Sequence, residues 1–250
     1  MMNNLLDKSD KYFWHRYLDF YEAKFSFLKC QNVLEFGVFQ GASVRWLLER
    51  FPKSHVFGVD ILPVQPDWPK DKRITYFQVD QDSTSQIENL FKSIGERLDL
   101  IIEDGSHIPR HQRNCLVNSI PHINSGGIYI LEDIHTSHPR HPFYKKAKRI
   151  FAPLIGPLHM LLAIDHMIST GKKPTKKDLD LLIKDSLFSL SDIELLYERI
   201  SSIDIYKRAK LPIRCFKCGN SDFDFHRFRC RCGVPLYSES DSMSALIHIR

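Results

Sequence analysis

Acidic residues stand at the ends of successive apolar runs in this sequence, and chemistry would begin there. Asp60 lies at the end of HVFGVDI (residues 55–61) and Asp80 at the end of ITYFQVD (74–80). Glu103-Asp104-Gly105-Ser106-His107 follows LDLII, and Glu132-Asp133 follows GGIYIL. If these runs are strands of one parallel sheet, their carboxyl ends share the crevice where open α/β sheets bind ligands. Carboxylates gathered there are costly to bury unless a cation neutralises them. Oxygen donors suit a hard divalent ion such as magnesium, so Asp104, Glu132 and Asp133 are candidate ligands. Such an ion lowers the pKa of a coordinated hydroxyl. His107, three residues past Asp104, has the titration range of a base for that proton. Solvated carboxylates at strand ends are the plain alternative, which their recurrence at four strand ends weakens.

The first run, NVLEFGV (32–38), continues into a turn with the pattern E-x-G-x-x-x-G-x-S, formed by Glu35, Gly37, Gly41 and Ser43. Glycines at those positions permit a sharp turn and close approach of a ligand. The spacing departs from G-x-G-x-x-G and so lacks the pyrophosphate cradle of dinucleotide sites. Asp60 is placed to accept ribose hydroxyls, and Glu35 to attract a cationic group. A glycine turn without pyrophosphate donors, flanked by acids, fits S-adenosylmethionine better than NAD. A ligand-free strand-to-helix turn is the alternative.

The elements that must hold these residues alternate. Helical patterns, ASVRWLLERF, SQIENLFKSIG and HQRNCLVNSIPHI, separate the apolar runs, which argues for crossover units and a mostly parallel sheet. Before them, Asp7 to Leu28 reads as an amphipathic lead-in helix, with Tyr12, Phe13, Trp14, Tyr17, Phe20 and Tyr21 as its packing face. Residues 144–197 turn helical around a basic patch, TGKKPTKKD, and SSIDIY (201–206) and SALIHIR (244–250) are two more strand candidates.

The segments LEFGVFQGAS, VDQDS, IIEDGSHIPRHQRN and GGIYILEDIHTS, with the lead-in DKxxxHRYLDFYE, resemble the metal-dependent class I methyltransferases that methylate sugar hydroxyls of macrolides. The resemblance spans residues 7–138 and is densest at the D-G-S-H and E-D elements. It implies magnesium on Asp104, Glu132 and Asp133, with His107 as general base. It also implies S-adenosylmethionine held by Glu35, Gly37 and Asp60, with Asp80-Gln81 near the adenine. The expected fold is α/β: a Rossmann-like methyltransferase with a seven-stranded, mostly parallel sheet and a small insertion before the last strand. The expected boundaries are a helical lead-in over 1–30, the methyltransferase domain over 31–206, the insertion over 207–240 and the terminal strand over 241–250.

The insertion departs from the family pattern. Cys215-x-x-Cys218-Gly and Cys230-x-Cys232-Gly resemble the two knuckles of a zinc ribbon, and four thiolates suit a tetrahedral structural zinc. The second knuckle is one residue short, which leaves His226 as a reserve ligand. So small a module has little core of its own and needs its metal to fold. Cys30 and Cys115 stand alone and read as core residues.

Composition bounds the partners. The 250 residues are 43% hydrophobic and 26% charged, which excludes a wholly disordered chain. No apolar stretch approaches the ~20 residues needed to span a bilayer, and the first residues lack a signal-peptide pattern, so a cytoplasmic location is expected. Residues 207–232 carry eight basic side chains against two acidic ones, more than the net +5 of the whole chain. The expected acceptor is a hydroxylated small molecule, a sugar first. The rival readings are methylation of a nucleic acid or polymeric glycan held by the basic insertion, and a non-catalytic binding module.

Overall fold

The computed structural model describes residues 9–26, 28–142, 144, 155–238 and 241–250. Two short helices come first, α1 (Asp10–Phe13) and α2 (Tyr17–Phe25). The single lead-in helix expected over 7–28 is therefore broken at Arg16, whose φ of 58° is left-handed; residues 1–8 and 27 lie outside the described residues. The break has a local cause. His15 Nδ1 sits 2.8 Å from Ser242 Oγ, and Tyr17 Oη donates to Asp133 Oδ1 at 2.6 Å. Two positions apart on a continuous helix, these side chains would diverge by about 200°, so both reach the sheet only if the helix stops between them.

The alternation expected from the sequence follows. β1 (Asn32–Phe36) leads to α3 (Ala42–Arg50), β2 (His55–Asp60) and β3 (Ile74–Gln78). Then come α4 (Thr84–Ile94), β4 (Leu98–Glu103), α5 (Pro109–Ser119) and β5 (Ile123–Leu131). Of the helical stretch expected over 144–197, residues 145–154 lie outside the described residues. The remainder forms α6 (Pro157–Thr170), α7 (Lys176–Ile183) and α8 (Leu190–Arg199). Thr175 and Ser189 open the last two with capping boxes, closed by Asp178 and Asp192. β6 (Ile200–Lys207), a two-residue hairpin of β7 (Phe223–Asp224) and β8 (Arg229–Cys230), and β9 (Met243–Ile249) complete the chain.

The seven-stranded sheet runs β3-β2-β1-β4-β5-β9-β6. β1 pairs in parallel with both β2 and β4, so strand order reverses beside it, where ligands bind in such sheets. β9 is antiparallel to its neighbours β5 and β6. The central strands are apolar on both faces, as buried parallel strands must be. Leu34, Ile101 and Tyr129 point into one core with α4, α5, α6 and α8. Val33, Leu100, Ile102 and Ile130 point into the other, against Tyr17, Tyr21 and Phe25 of α2 and Val44 and Leu47 of α3. With apolar cores on both faces, the polar chemistry is left to the strand ends. No helix among the described residues is long and apolar enough to cross a membrane.

Candidate active site

The carboxyl ends of β1, β2, β4 and β5 open on a cleft of about 530 Å³. Its walls include Gly37, Asp60, Asp80, Gln81, Asp104, His107, Glu132 and Asp133. Gly37 is obligatory there: its φ is +95°, and a Cβ would lie 2.0 Å from the Asp104 carbonyl oxygen. The loops after β1 and β4 thus touch through a backbone that no side chain can enter. Gly41 opens α3 at φ +71°, with Pro69 Cδ 2.4 Å from where a Cβ would sit.

Glu35, Gly41 and Ser43 do not line the cleft. Glu35 is fully buried beneath it and accepts from Ser43 Oγ at 2.8 Å. The Asp60 carboxylate shapes the turn after β1. Its Oδ2 accepts from the Val38 and Phe39 amides at 2.9 and 3.0 Å, and its Oδ1 from the Leu62 amide at 3.0 Å. A lone pair remains on Oδ1 for a ligand hydroxyl. Asp80 turns its Oδ1 to the Asp82 amide at 2.9 Å. Gln81 donates to Glu103 Oε1 at 2.6 Å and accepts from the Ser106 amide at 2.9 Å, so its side chain ties the β3 and β4 loops together. Burial pushes the Glu103 carboxyl up to about 7, against the pull of His107 and the Gln81 hydrogen bond.

The cation that the acids require is partly supplied by the chain itself. Lys11, on α1, places its Nζ 2.7 Å from Asp104 Oδ2, 2.8 Å from Glu132 Oε1 and 3.2 Å from Glu35 Oε1. The lysine is 3% exposed. Burial disfavours its charge, but Asp104, Glu132 and Glu35 outweigh burial and hold its pKa well above the ordinary value. Burial raises Glu132 well above the ordinary carboxylate range, with Asp104 adding to it and Lys11 opposing. Sequence reasoning missed Lys11, although it sits inside the DKxxxHRY segment quoted for the resemblance. Nothing in its type or spacing marks it as buried.

Asp133 lies on the other side of the cluster and keeps different company. Besides Tyr17, it has His107 Nε2 3.6 Å from Oδ2, and His15 and His135 Nδ1 atoms 3.6 and 3.7 Å from Oδ1. Burial opposes its charge, but the three imidazoles and Tyr17 hold it well below the usual range. Burial likewise opposes protonation of His107, yet Asp133, Asp104 and Glu103 outweigh it and raise its pKa. His107 and Asp133 both hold left-handed backbone, at φ 55° and 53°. Such strain at about 1 kcal/mol or more per residue persists where surrounding structure imposes it. Thr136 does so here, its one hydroxyl proton shared between the His107 carbonyl at 3.0 Å and the Asp133 carbonyl at 2.9 Å.

One donor atom each from Asp104, His107 and Asp133 lies within 4.8 Å of the others. The Asp104 and Asp133 carboxylates suit a hard divalent ion, and the His107 imidazole stands close beside them, where it can take a proton. Glu132, the remaining expected ligand, is turned instead to Lys11.

The second cluster is the cysteines. Cys215, Cys218, Cys230 and Cys232 bring their sulfurs within 4.8 Å of one another, without His226. Cys215 and Cys232 Sγ are 3.6 Å apart, Cys218 and Cys230 Sγ 3.4 Å. Gly219 and Gly233, at φ 71° and 89°, close the two knuckles by donating to the Cys215 and Cys230 carbonyls at 2.9 and 2.8 Å. Four sulfurs at this spacing fit a zinc ion.

The strand order with a reversed β9, and a glycine turn facing an acid at the tip of β2, define a Rossmann-like methyltransferase fold. The FtsJ-like methyltransferase family matches residues 18–147, and the chain belongs to that family. A tetracenomycin rhamnosyl 3'-O-methyltransferase of Streptomyces olivaceus is 32% identical over 140 residues, covering 52% of this chain and 35% of that protein. The mycinamicin VI 2''-O-methyltransferase of Micromonospora griseorubida is 30% identical over 135 residues, covering 50% of this chain and 33% of that protein. The chain therefore aligns with about a third of the length of these relatives. Among solved structures, the MycE methyltransferase of the mycinamycin pathway, in complex with Mg and SAH, superposes with a TM-score of 0.58 at 20% identity. That likeness covers 92% of this chain and 48% of MycE, and it shows the shared fold.

Proposed function

We propose that the chain transfers the methyl group of S-adenosylmethionine to a hydroxyl of a sugar-bearing small molecule, with help from a divalent cation. The observation that carries this reading is the convergence of Asp104, His107 and Asp133 in the wall of the cleft that Gly37 and Asp60 also line. The sugar O-methyltransferases among its relatives support the acceptor class.

In this reading Asp60 orients the ribose, and Gly37 lets the backbone approach the ligand closely. The acceptor oxygen attacks the sulfonium methyl carbon in line, the carbon–sulfur bond breaks, and S-adenosylhomocysteine leaves. His107 receives the hydroxyl proton. Much of the acceleration comes from holding the two reactants in line. Asp104 and Asp133 would hold a divalent cation, which would supply Lewis-acid polarisation of the acceptor hydroxyl and offset the carboxylate charge that holds a proton on His107. Lys11 meanwhile supplies one positive charge shared by Glu35, Asp104 and Glu132 on the buried side.

The experiment is transfer of radiolabelled methyl from S-adenosylmethionine to a panel of deoxysugar glycosides, with magnesium or with excess chelator. Label on a glycoside, lost in chelator and restored by magnesium, is the expected result. Label on RNA with none on any glycoside would replace the acceptor class. Full transfer after exhaustive chelation would remove the metal from the account.

A further inference from the structure

We infer that the four-cysteine module is the clasp that holds α1, and with it Lys11, in the acidic site. The module's own core is minimal: Cys215, Cys230 and Leu236 are its buried residues, with Leu211, Phe223 and Val234 partly buried around them. Trp14, from the N-terminal arm, packs into that same cluster. Its ring meets Phe216, inside the first knuckle, edge to face at 4.7 Å.

Other contacts continue the attachment along the arm. The Ile213 amide donates to the Phe13 carbonyl at 2.7 Å, and the Arg214 guanidinium lies 4.2 Å from the Phe13 ring centroid. Arg208, 1% exposed, covers the Trp14 ring at 4.8 Å and donates to the Trp14 carbonyl at 3.1 Å. The same guanidinium donates to the Leu236 carbonyl at 2.8 Å and to Asp241 Oδ1 at 2.6 Å, which fastens the start of the insertion to its C-terminal end. Trp14 stands three residues after Lys11, so the clasp ends one helical turn from the ammonium group. α1 is only four residues long and lacks a side-chain cap. A helix so short is not stable by itself and takes its position from what it packs on. On its inner side that is the carboxylate cluster, and on its outer side the cysteine module.

The module is thus a positioning device for Lys11. What Lys11 does in turnover rests on the methyltransferase reading, whereas the clasp does not. Hydrogen exchange of the whole chain separates the two. In Phe216→Ala, with zinc content measured as retained, amides of residues 12–17 should exchange about tenfold faster while β1 and β4 stay protected. Trp14→Ala should give the same loosening, and the double variant little more. Unchanged exchange in both single variants overturns the clasp. Manganese binding then tests its reach. Lys11→Met removes a competing cation and should tighten manganese binding about tenfold, and Phe216→Ala should shift it in the same direction. Tightening in Lys11→Met alone would show that the module does not reach the site, which also overturns the inference. No change in either would sink the cation site of the functional reading and leave the exchange result standing.

Discussion

The acidic cleft and the cysteine module concentrate chemistry by opposite means. The cleft's side chains come from the ends of β1 to β5 and from α1, and are aimed by a seven-stranded sheet with an apolar core on each face. The cysteine module has a three-residue buried core and a two-residue hairpin, and its ligands come from one short stretch of chain. In the cleft the fold exists first and tolerates unfavourable charge. In the module the ligand set is what makes a fold. Removing a metal should therefore have unequal consequences in the two places.

The largest expected effect is on the module. Replacing Cys215 and Cys218 together by serine should abolish zinc binding, and with it the order of residues 211–237, since binding free energy here is folding free energy. Zinc analysis and proteolysis check it: retained zinc, or an unchanged cleavage pattern, would erase the contrast. Treating the cleft with a chelator selective for magnesium should leave the melting temperature nearly unchanged.

Next in size is Lys11→Met. It leaves Glu35, Asp104 and Glu132 without their buried counter-charge and should cost about 3–5 kcal/mol in urea unfolding, as breaking a buried ion pair does. Added divalent cation should recover part of that loss. A variant as stable as wild type would mean that the carboxylates are already neutral.

The smallest effect is a pH dependence. The folded chain holds the Glu103 proton up to about 7, whereas an unfolded glutamate releases it near 4.3. Between those values the folded state binds the extra proton, so stability from this group falls as pH rises and levels off above about 7. Glu103→Gln keeps an acceptor for Gln81 and should remove that slope. Urea midpoints at pH 5 and pH 8, taken in chelator, should then differ less in the variant than in wild type.

Much of this was legible in the sequence, for a physical reason. Strands buried on both faces must be apolar, so the polar residue that ends each run announces a strand end, as Asp60, Glu103 and Glu132 do. Cysteines are legible because few other roles cluster four of them in 18 residues. Lys11 was not, because a lysine's burial depends on which distant carboxylates meet it; Glu132 is 121 positions away. The lead-in helix was misread for a related reason. Its aromatic spacing is helical, but His15 and Tyr17 are bound by partners that a straight helix cannot serve. Glu35 and Ser43 carry a ligand-site pattern, and the structure places them beneath the cleft, hydrogen-bonded to each other, with Glu35 also beside Lys11.

Methyl transfer in the cleft, with His107 taking the proton, is open to direct measurement. Methyl transfer to a glycoside acceptor, followed beside calorimetric binding of S-adenosylmethionine, tests it in wild type and in His107→Ala. Unchanged binding with a loss of about 10²–10⁴-fold in turnover, the usual contribution of a general base, is the expected result. Turnover at the wild-type rate in His107→Ala across pH 6–9 (about the range in which an imidazole titrates) would contradict it.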